Sequence, residues 1–199
     1  MVRQPVGKDR LMFFIFTLPR SRSAWLSKLL SIPPAVVGHD VVVNCDTIDD
    51  FLEMFADETL TGTVETGSAL GWRIIRREFP EAKFAVVRRR KRDVQRSLRN
   101  FGIRMSMDEL WDRDELLCEI ASQPGTLLLN YSDLDDYNYL DNLCHHCLGV
   151  QLLRDRWEHF RGQNIQIDMS ARIRVIREKQ GAFAKLRQEV GELNKGLVQ

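Results

Sequence analysis

Short apolar segments alternate with segments of helical periodicity along most of this chain. Apolar runs rich in β-branched and aromatic residues predict strands at 11–18, 35–43, 62–66, 83–89 and 126–131. Recurrence of apolar residues every three or four positions predicts helices at 23–31, 47–57, 68–79, 91–100, 107–122, 138–148 and 150–161. Strands that alternate with helices are typical of a parallel sheet covered on both faces. We therefore predict an α/β fold of three layers, with a central parallel sheet between helices.

The C-terminal segment has a different character. We place an α/β domain at 1–165 and a charged helical extension at 166–199. The apolar positions of this extension are Ile176, Phe183, Leu186, Val190, Leu193 and Leu197. From the second of them onward the steps alternate between three and four, as in a short heptad seam. The extension is therefore expected to pack on its own domain, or to form a homodimer through this helix.

Composition narrows the class of protein. The chain has 199 residues, a formal net charge of +1, 44% hydrophobic and 29% charged residues, which fits one globular domain and gives no overall charge to attract nucleic acid or membrane. The N-terminal apolar run is too short to span a bilayer and has no small-residue cleavage site. The 4 cysteines are scattered, which is typical of a reduced compartment. We expect a cytoplasmic protein that binds neither nucleic acid nor membrane.

The most informative segment is 13–30, where a predicted strand ends at Thr17 and a helix begins near Ala24. The loop between them contains two arginines and two hydroxyls, in the order Arg20, Ser21, Arg22, Ser23. The N-terminus of a helix offers unpaired N–H groups and the positive end of the helix dipole. The loop therefore predicts a phosphate or sulfate site.

A second segment, 84–101, repeats this arrangement. A buried strand ends in Arg88-Arg89-Arg90, and the helix that follows carries Ser97. Ligands of open α/β sheets gather at the carboxyl ends of the strands, so the two loops are expected at one edge. An arginine at the strand end and a serine on the helix can then share a phosphate. The alternative is a solvated basic patch, or one that contacts nucleic-acid backbone.

Three motifs in this order resemble the sulfotransferase family. PRSRSAW at 19–25 is similar to the family's PKSGTTW-type phosphosulfate loop, and VVRRRKRDVQRSL at 86–98 to its 3′-phosphate motif, in which an Arg precedes a Ser by eight residues. LLLNYSDLDD at 127–136, with CLG at 147–149, resembles the strand, the "YEDL" segment and the "FLG" of the family. The small size is similar to that of compact bacterial and phage members.

The resemblance implies a P-loop NTPase-like sheet topology and an enzyme that uses 3′-phosphoadenosine 5′-phosphosulfate (PAPS). Its sulfuryl group would pass to a hydroxyl or amine of a small-molecule or glycan acceptor, without a metal, and leave the bisphosphate PAP. The residues that the resemblance assigns to the donor are Arg20, Ser21, Arg22, Ser23, Ala24, Trp25, Arg89 and Ser97. Arg20 replaces the family's lysine, Arg22 its glycine and Ala24 its second threonine. The family's late glycine-rich segment has only a weak counterpart at 178–183.

Two residues compete for the role of general base. His39, beside Asp40, offers an imidazole that a carboxylate can orient. Glu65 ends strand 62–66, where cytosolic members of the family resemble one another in carrying a histidine. We favour His39. The alternatives are that His39 only holds a turn, that Glu65 only caps the next helix, and that neither is the base.

Other functions compete with this interpretation. A nucleotide kinase would use a similar sheet, but GxxxxGK[ST] does not occur. A catalytically inactive module that binds PAP or phosphate fits the replaced glycine and the weak late segment. Zinc is a further possibility at Cys144-His145-His146-Cys147, but contiguous helical residues cannot all face one ion, so no metal is expected.

Overall fold

A computed structural model describes residues 11–56, 59–165 and 180–197. The strands in these ranges are β1 (Phe13–Thr17), β2 (Val37–His39), β3 (Gly62–Glu65), β4 (Lys83–Arg88) and β5 (Thr126–Asn130). The α-helices are α1 (Ser23–Leu30), α2 (Ile48–Ala56), α3 (Trp72–Glu78), α4 (Lys91–Arg99), α5 (Met107–Ala121), α6 (Tyr137–Leu148), α7 (Arg154–Arg161) and α8 (Gln180–Leu197). Short 3₁₀ turns lie at Val41–Asn44, Ser68–Gly71 and Tyr131–Asp135.

The five strands form one parallel sheet in the order β2-β3-β1-β4-β5. The central strand β1 pairs with β3 on one side and β4 on the other, so Phe13 lies opposite both Gly62 and Lys83. The connection after β1 leads to β2 at one edge of the sheet, and the connection after β4 leads to β5 at the opposite edge. The crevice between the loops after β1 and β4 is therefore the switch point of the topology, where α/β sheets bind their ligands. This arrangement confirms the predicted α/β class and is consistent with a P-loop-like fold.

The core lies in two halves because β1 is buried on both faces. Alternate side chains of a strand point to opposite faces: Phe14 and Phe16 belong to one cluster, and Phe13 and Ile15 to the other. Helices α2, α3, α5 and α8 contribute to the first cluster, and α1, α6 and α7 to the second. The sheet is therefore the middle of three layers, as the hydrophobic pattern predicts.

Local signals set several element ends. Helix α5 begins with a capping box, in which the Ser106 hydroxyl accepts from the Glu109 N–H and the Glu109 carboxylate accepts from the Ser106 N–H. Helix α6 ends at Gly149, whose φ of 68° is the left-handed conformation that glycine adopts without steric cost. The CLG segment of the sequence thus closes a helix, as expected.

Two predicted elements are shorter in the structure. The strand predicted at 35–43 is only Val37–His39, because Asp40 turns the chain with a φ of 46° into the 3₁₀ turn Val41–Asn44. The helix predicted at 150–161 begins at Arg154. The apolar residues after Asp40 are buried in the core but bonded as a turn, a difference that hydrophobicity does not reveal.

Helix α8 packs on the α/β domain. Leu186 and Val190 are buried in the cluster that also contains residues of α2 and α3, whereas Leu193 is exposed. The first of the two expectations for this helix is thus met, and a homodimer stays a prediction. The boundary at 165/166, Ile176 and residues 1–10 lie at or outside the described ranges. None of the helices in the described ranges combines the length and apolar character of a membrane-spanning segment.

Candidate functional site

The loop after β1 has a conformation in which glycine is normally preferred. Arg20 and Arg22 both have positive φ angles, of 64° and 61°. Non-glycine residues adopt this left-handed conformation rarely and at an energetic cost. Arg22 stands where the resembled motif has its glycine, and its φ is one that glycine adopts without steric cost.

Tertiary contacts hold Arg22 in this conformation. Its guanidinium donates to Asp135 at 2.6 Å. It also lies over the rings of Trp25 and Tyr131, at 5.4 and 5.5 Å from their centroids, within the range of cation–π attraction. These contacts offset the backbone strain and direct the side chain away from the loop backbone.

The two arginine-bearing loops are in contact with each other. Arg20 Nε donates to Ser97 Oγ at 3.2 Å, and Arg89 Nη1 donates to the backbone carbonyl of Arg20. Neither guanidinium forms an ion pair with a carboxylate of the described chain. The structure therefore places the two predicted anion-binding elements together, in the crevice between β1 and β4.

Aromatic rings support both guanidiniums. Arg20 lies over Phe101, 4.1 Å from the centroid, and Arg89 over Tyr131, at 4.2 Å. Burial, and then the charge of Arg89, lowers the pKa of Arg20. An arginine stays protonated in spite of such shifts, so the crevice concentrates two positive charges. An anion is the ligand that this arrangement favours.

The two hydroxyls of the first loop have different positions. Ser23 lines the cavity at this edge of the sheet, together with Ala24 and Trp25. Ser21 is fully buried, and its Oγ has no hydrogen-bond partner in the described chain. Ser21 is not one of the lining residues, so only its backbone N–H remains a candidate ligand. Trp25 is 3% exposed and donates from its indole to Phe160 O at 2.8 Å, which gives it chiefly a core role.

His39 lies beside the first loop. Its Nε2 is 2.9 Å from Ser23 Oγ and 3.4 Å from Asp40 Oδ2. Both of these contacts involve Nε2 of the imidazole ring. Asp40 is held in turn by Thr66, whose N–H and hydroxyl both donate to Asp40 Oδ1, at 2.7 and 2.9 Å. The imidazole of His39 therefore lies next to the hydroxyl of the first loop, with Asp40 and Thr66 behind it.

Glu65, the other candidate base, lies in the core. It is 1% exposed and, unlike its neighbour Thr66, does not line the cavity. Its Oε1 accepts from Val41 N and from Thr63 Oγ1, both at 2.7 Å. Burial, and then the charge of Asp40, raises the pKa of Glu65 to about 8. A carboxyl that is protonated and buried away from the cavity is poorly placed to act as a general base. Glu65 instead holds the turn after β2, and it does not cap a helix.

The buried proton of Glu65 predicts a pH-dependent stability. Because its pKa is higher in the folded state, the stabilisation is complete below pH 4.5, the ordinary value, and is lost as the pH rises towards about 8. We expect the free energy of unfolding to fall by a few kcal/mol over this interval. In Glu65→Gln this decline should nearly disappear, because the glutamine side chain does not ionise in this pH range.

Urea denaturation between about pH 5 and pH 9 measures this difference. The matched control is Glu115→Gln, at an exposed position of α5, which should keep the decline of the wild-type protein. Parallel pH curves for the wild-type protein and Glu65→Gln would contradict the assignment of the proton to Glu65.

One cavity of about 1010 Å³ joins these parts. Its walls include Arg20, Ser23, His39, Arg89 and Ser97. This volume is at the upper end of the range of ligand pockets, which is about 300–1,000 Å³. A cavity of this size is large enough for a nucleotide-sized ligand.

No site role was predicted for Tyr131 or Arg113, which both line the cavity. Tyr131 follows β5 directly and supports Arg89, so its strand-end position was a usable signal. Arg113 lies in the middle of α5 and reaches the cavity, and no motif marks it, because only packing decides which helix face meets the site.

Arg88, Lys91 and the segment 144–147 do not line the cavity. Arg88 and Lys91 both pair with Asp114, which is buried. Of the three neighbouring basic residues Arg88, Arg89 and Lys91, only Arg89 lines the cavity. Cys144 and Cys147 are buried, and His146 Nε2 donates to Phe84 O at 2.9 Å. Within the described ranges, no group of three or more potential ligands is placed to hold a metal ion.

No protein-family model matches this chain, and no curated protein matches it.

Proposed function

We propose that this protein is a PAPS-dependent sulfotransferase. The observation that carries the proposal is the contact between the two cationic loops: Arg20 bonds to Ser97, and Arg89 bonds to the backbone of Arg20. Two guanidiniums without carboxylate partners in the described chain, side by side at a topological switch point, suit a ligand with two nearby phosphates. A bisphosphorylated adenosine has this form.

The residues present fit such a donor. In this proposal Arg20 and the backbone N–H groups of the first turn of α1 would hold the 5′-phosphosulfate. Arg89 and Ser97 supply a guanidinium and a hydroxyl for the 3′-phosphate. Arg89 and Arg20 now bond to protein groups, and we expect them to exchange these bonds for phosphate oxygens on binding.

The chemistry needs a proton acceptor and charge stabilisation. PAPS supplies an activated sulfuryl group. His39, 2.9 Å from Ser23 Oγ, lies next to the loop that would hold this group and accepts the proton of the attacking hydroxyl or amine. Arg20 stabilises the negative charge that develops on the phosphate oxygen of the leaving group. It acts as a charge and not as a proton donor, since arginine does not lose its proton.

Calorimetry with PAP and ATP as separate ligands tests the nucleotide class. We expect PAP to bind at least about tenfold more tightly than ATP, because ATP has no 3′-phosphate for Arg89 and Ser97. Tighter binding of ATP would indicate a phosphoryl-transfer protein. PAP binding without sulfate transfer to any of a panel of phenols, sugars and amines would indicate an inactive binding module.

A further inference from the structure

One wall of the cavity is apolar. It is formed by the turn after β2 and by helices α2, α5 and α8. Its apolar lining residues are Val42, Val43, Ile48, Leu117, Leu186 and Val190. All six are less than 10% exposed, so the wall is continuous with the core. An apolar ligand body is what such a wall favours.

A cation projects into this apolar region. Arg113 of α5 is half-buried and lines the cavity. Its Nη1 donates to Thr66 O at 3.0 Å, and Thr66 is the residue that holds Asp40 beside His39. Two residues, Thr66 and Asp40, thus connect the guanidinium of Arg113 to the imidazole of His39 through direct contacts.

A second arginine lies close to Arg113. Burial, and then the charge of Arg187 on α8, lowers the pKa of Arg113, and the charges of Glu109 and Asp40 act in the opposite direction. Glu109 and Asp112 also line the cavity. Glu109 is engaged by the N–H of Ser106, and no carboxylate of the described chain lies within 4.0 Å of the guanidinium of Arg113 in an ion pair. Most of the hydrogen-bonding capacity of Arg113 is therefore available to a ligand.

A hydroxyl nearby is also without a partner. Ser68, in the turn after β3, is 5% exposed and lines the cavity, and its Oγ has no hydrogen-bond partner in the described chain. A buried polar group without a hydrogen-bond partner destabilises the protein unless a ligand supplies that partner. This second observation is independent of the arginines and indicates a polar ligand group at the same place.

We propose that this region binds a sulfate acceptor with an apolar body that carries a carboxylate. Arg113 and Arg187 bind the carboxylate, Ser68 donates a hydrogen bond, and the apolar wall covers the body, which leaves the acceptor's hydroxyl or amine directed at His39. The assignment to an acceptor rests on the proposed sulfotransferase function, whereas the anion site itself does not.

The test compares two phenols, para-hydroxyphenylpropanoate and its uncharged amide, para-hydroxyphenylpropanamide. Calorimetry measures the binding of each to the full chain, without nucleotide and with saturating PAP. We expect the wild-type protein to bind the acid at least about tenfold more tightly, the effect of one charge-assisted hydrogen bond. In Arg113→Gln and in Arg187→Gln this preference should fall by about tenfold. With PAPS present, kcat/KM should follow the same preference.

Control variants distinguish binding of the carboxylate in the cavity from misfolding and from a general effect of charge. Arg187 is exposed, so its replacement tests the site even if Arg113→Gln fails to fold. Arg77→Gln, outside the cavity and paired with Glu78, should keep the preference for the acid. Equal binding of acid and amide to the wild-type protein, or a preference that survives both cavity variants, overturns the anion site. A preference for the acid without PAP binding upholds the anion site and refutes the proposed donor.

Discussion

Replacement of Arg89 with alanine should lower the affinity for PAP by about a hundredfold and leave the affinity for AMP changed by much less. The reason is that PAP and AMP differ in the 3′-phosphate, the group assigned to Arg89 and Ser97. Loss of a guanidinium removes up to two charge-assisted hydrogen bonds to that phosphate. Titration calorimetry with both ligands measures the ratio of the two affinities.

The neighbouring residue of the same type provides the control. Arg90 is exposed, and Arg90→Ala should leave the ratio of PAP to AMP affinity unchanged. Ser97→Ala, which removes one hydroxyl and no charge, should lower the affinity for PAP by about tenfold or less. If Arg89→Ala weakens PAP and AMP equally, Arg89 supports the loop through the Arg20 carbonyl and does not read the 3′-phosphate.

Replacement of His39 with alanine should lower kcat for sulfate transfer by about a hundredfold to ten-thousandfold, the usual contribution of a general base. The affinity for PAP should stay within about threefold of the wild-type value, because PAP lacks the sulfuryl group and His39 is not a phosphate ligand in this assignment. Single-turnover kinetics and calorimetry on the same preparation separate the two effects.

The matched control uses an exposed histidine of the same protein. His145 lies on the solvent side of α6, and His145→Ala should transfer sulfate at the wild-type rate. An unchanged kcat in His39→Ala would remove His39 as the base. Since Glu65 is buried outside the cavity, that result would favour a reaction without a side-chain base.

Most of the fold could be predicted from the chain because hydrophobic periodicity and buried surface are directly related. The strands around Phe14 and Val86 are continuous apolar runs, which is the pattern of strands covered on both faces. The error at 35–43 occurred where a single residue, Asp40, adopts a left-handed conformation. Such turns depend on local backbone geometry, which hydrophobicity does not report.

The candidate site was only partly predictable. Arg20, Arg89 and Ser97 could be assigned because they follow strand ends, and strand ends of a parallel sheet share one edge. The choice between His39 and Glu65 could not be made in this way, since both lie near the ends of strands. Packing separated them: the imidazole faces the cavity, and the carboxyl turns into the core.

The order of the elements, the two arginine-bearing loops and the edge at which they meet could be predicted from the sequence, because these properties depend on neighbouring residues and on the rules of parallel sheets. The contact between the two loops, the left-handed conformation of Arg22 and the cavity that Arg113 and Ser68 share with His39 emerged only from the folded chain. These facts join residues far apart in the chain. They follow from how helices and sheet pack, and no local pattern encodes them.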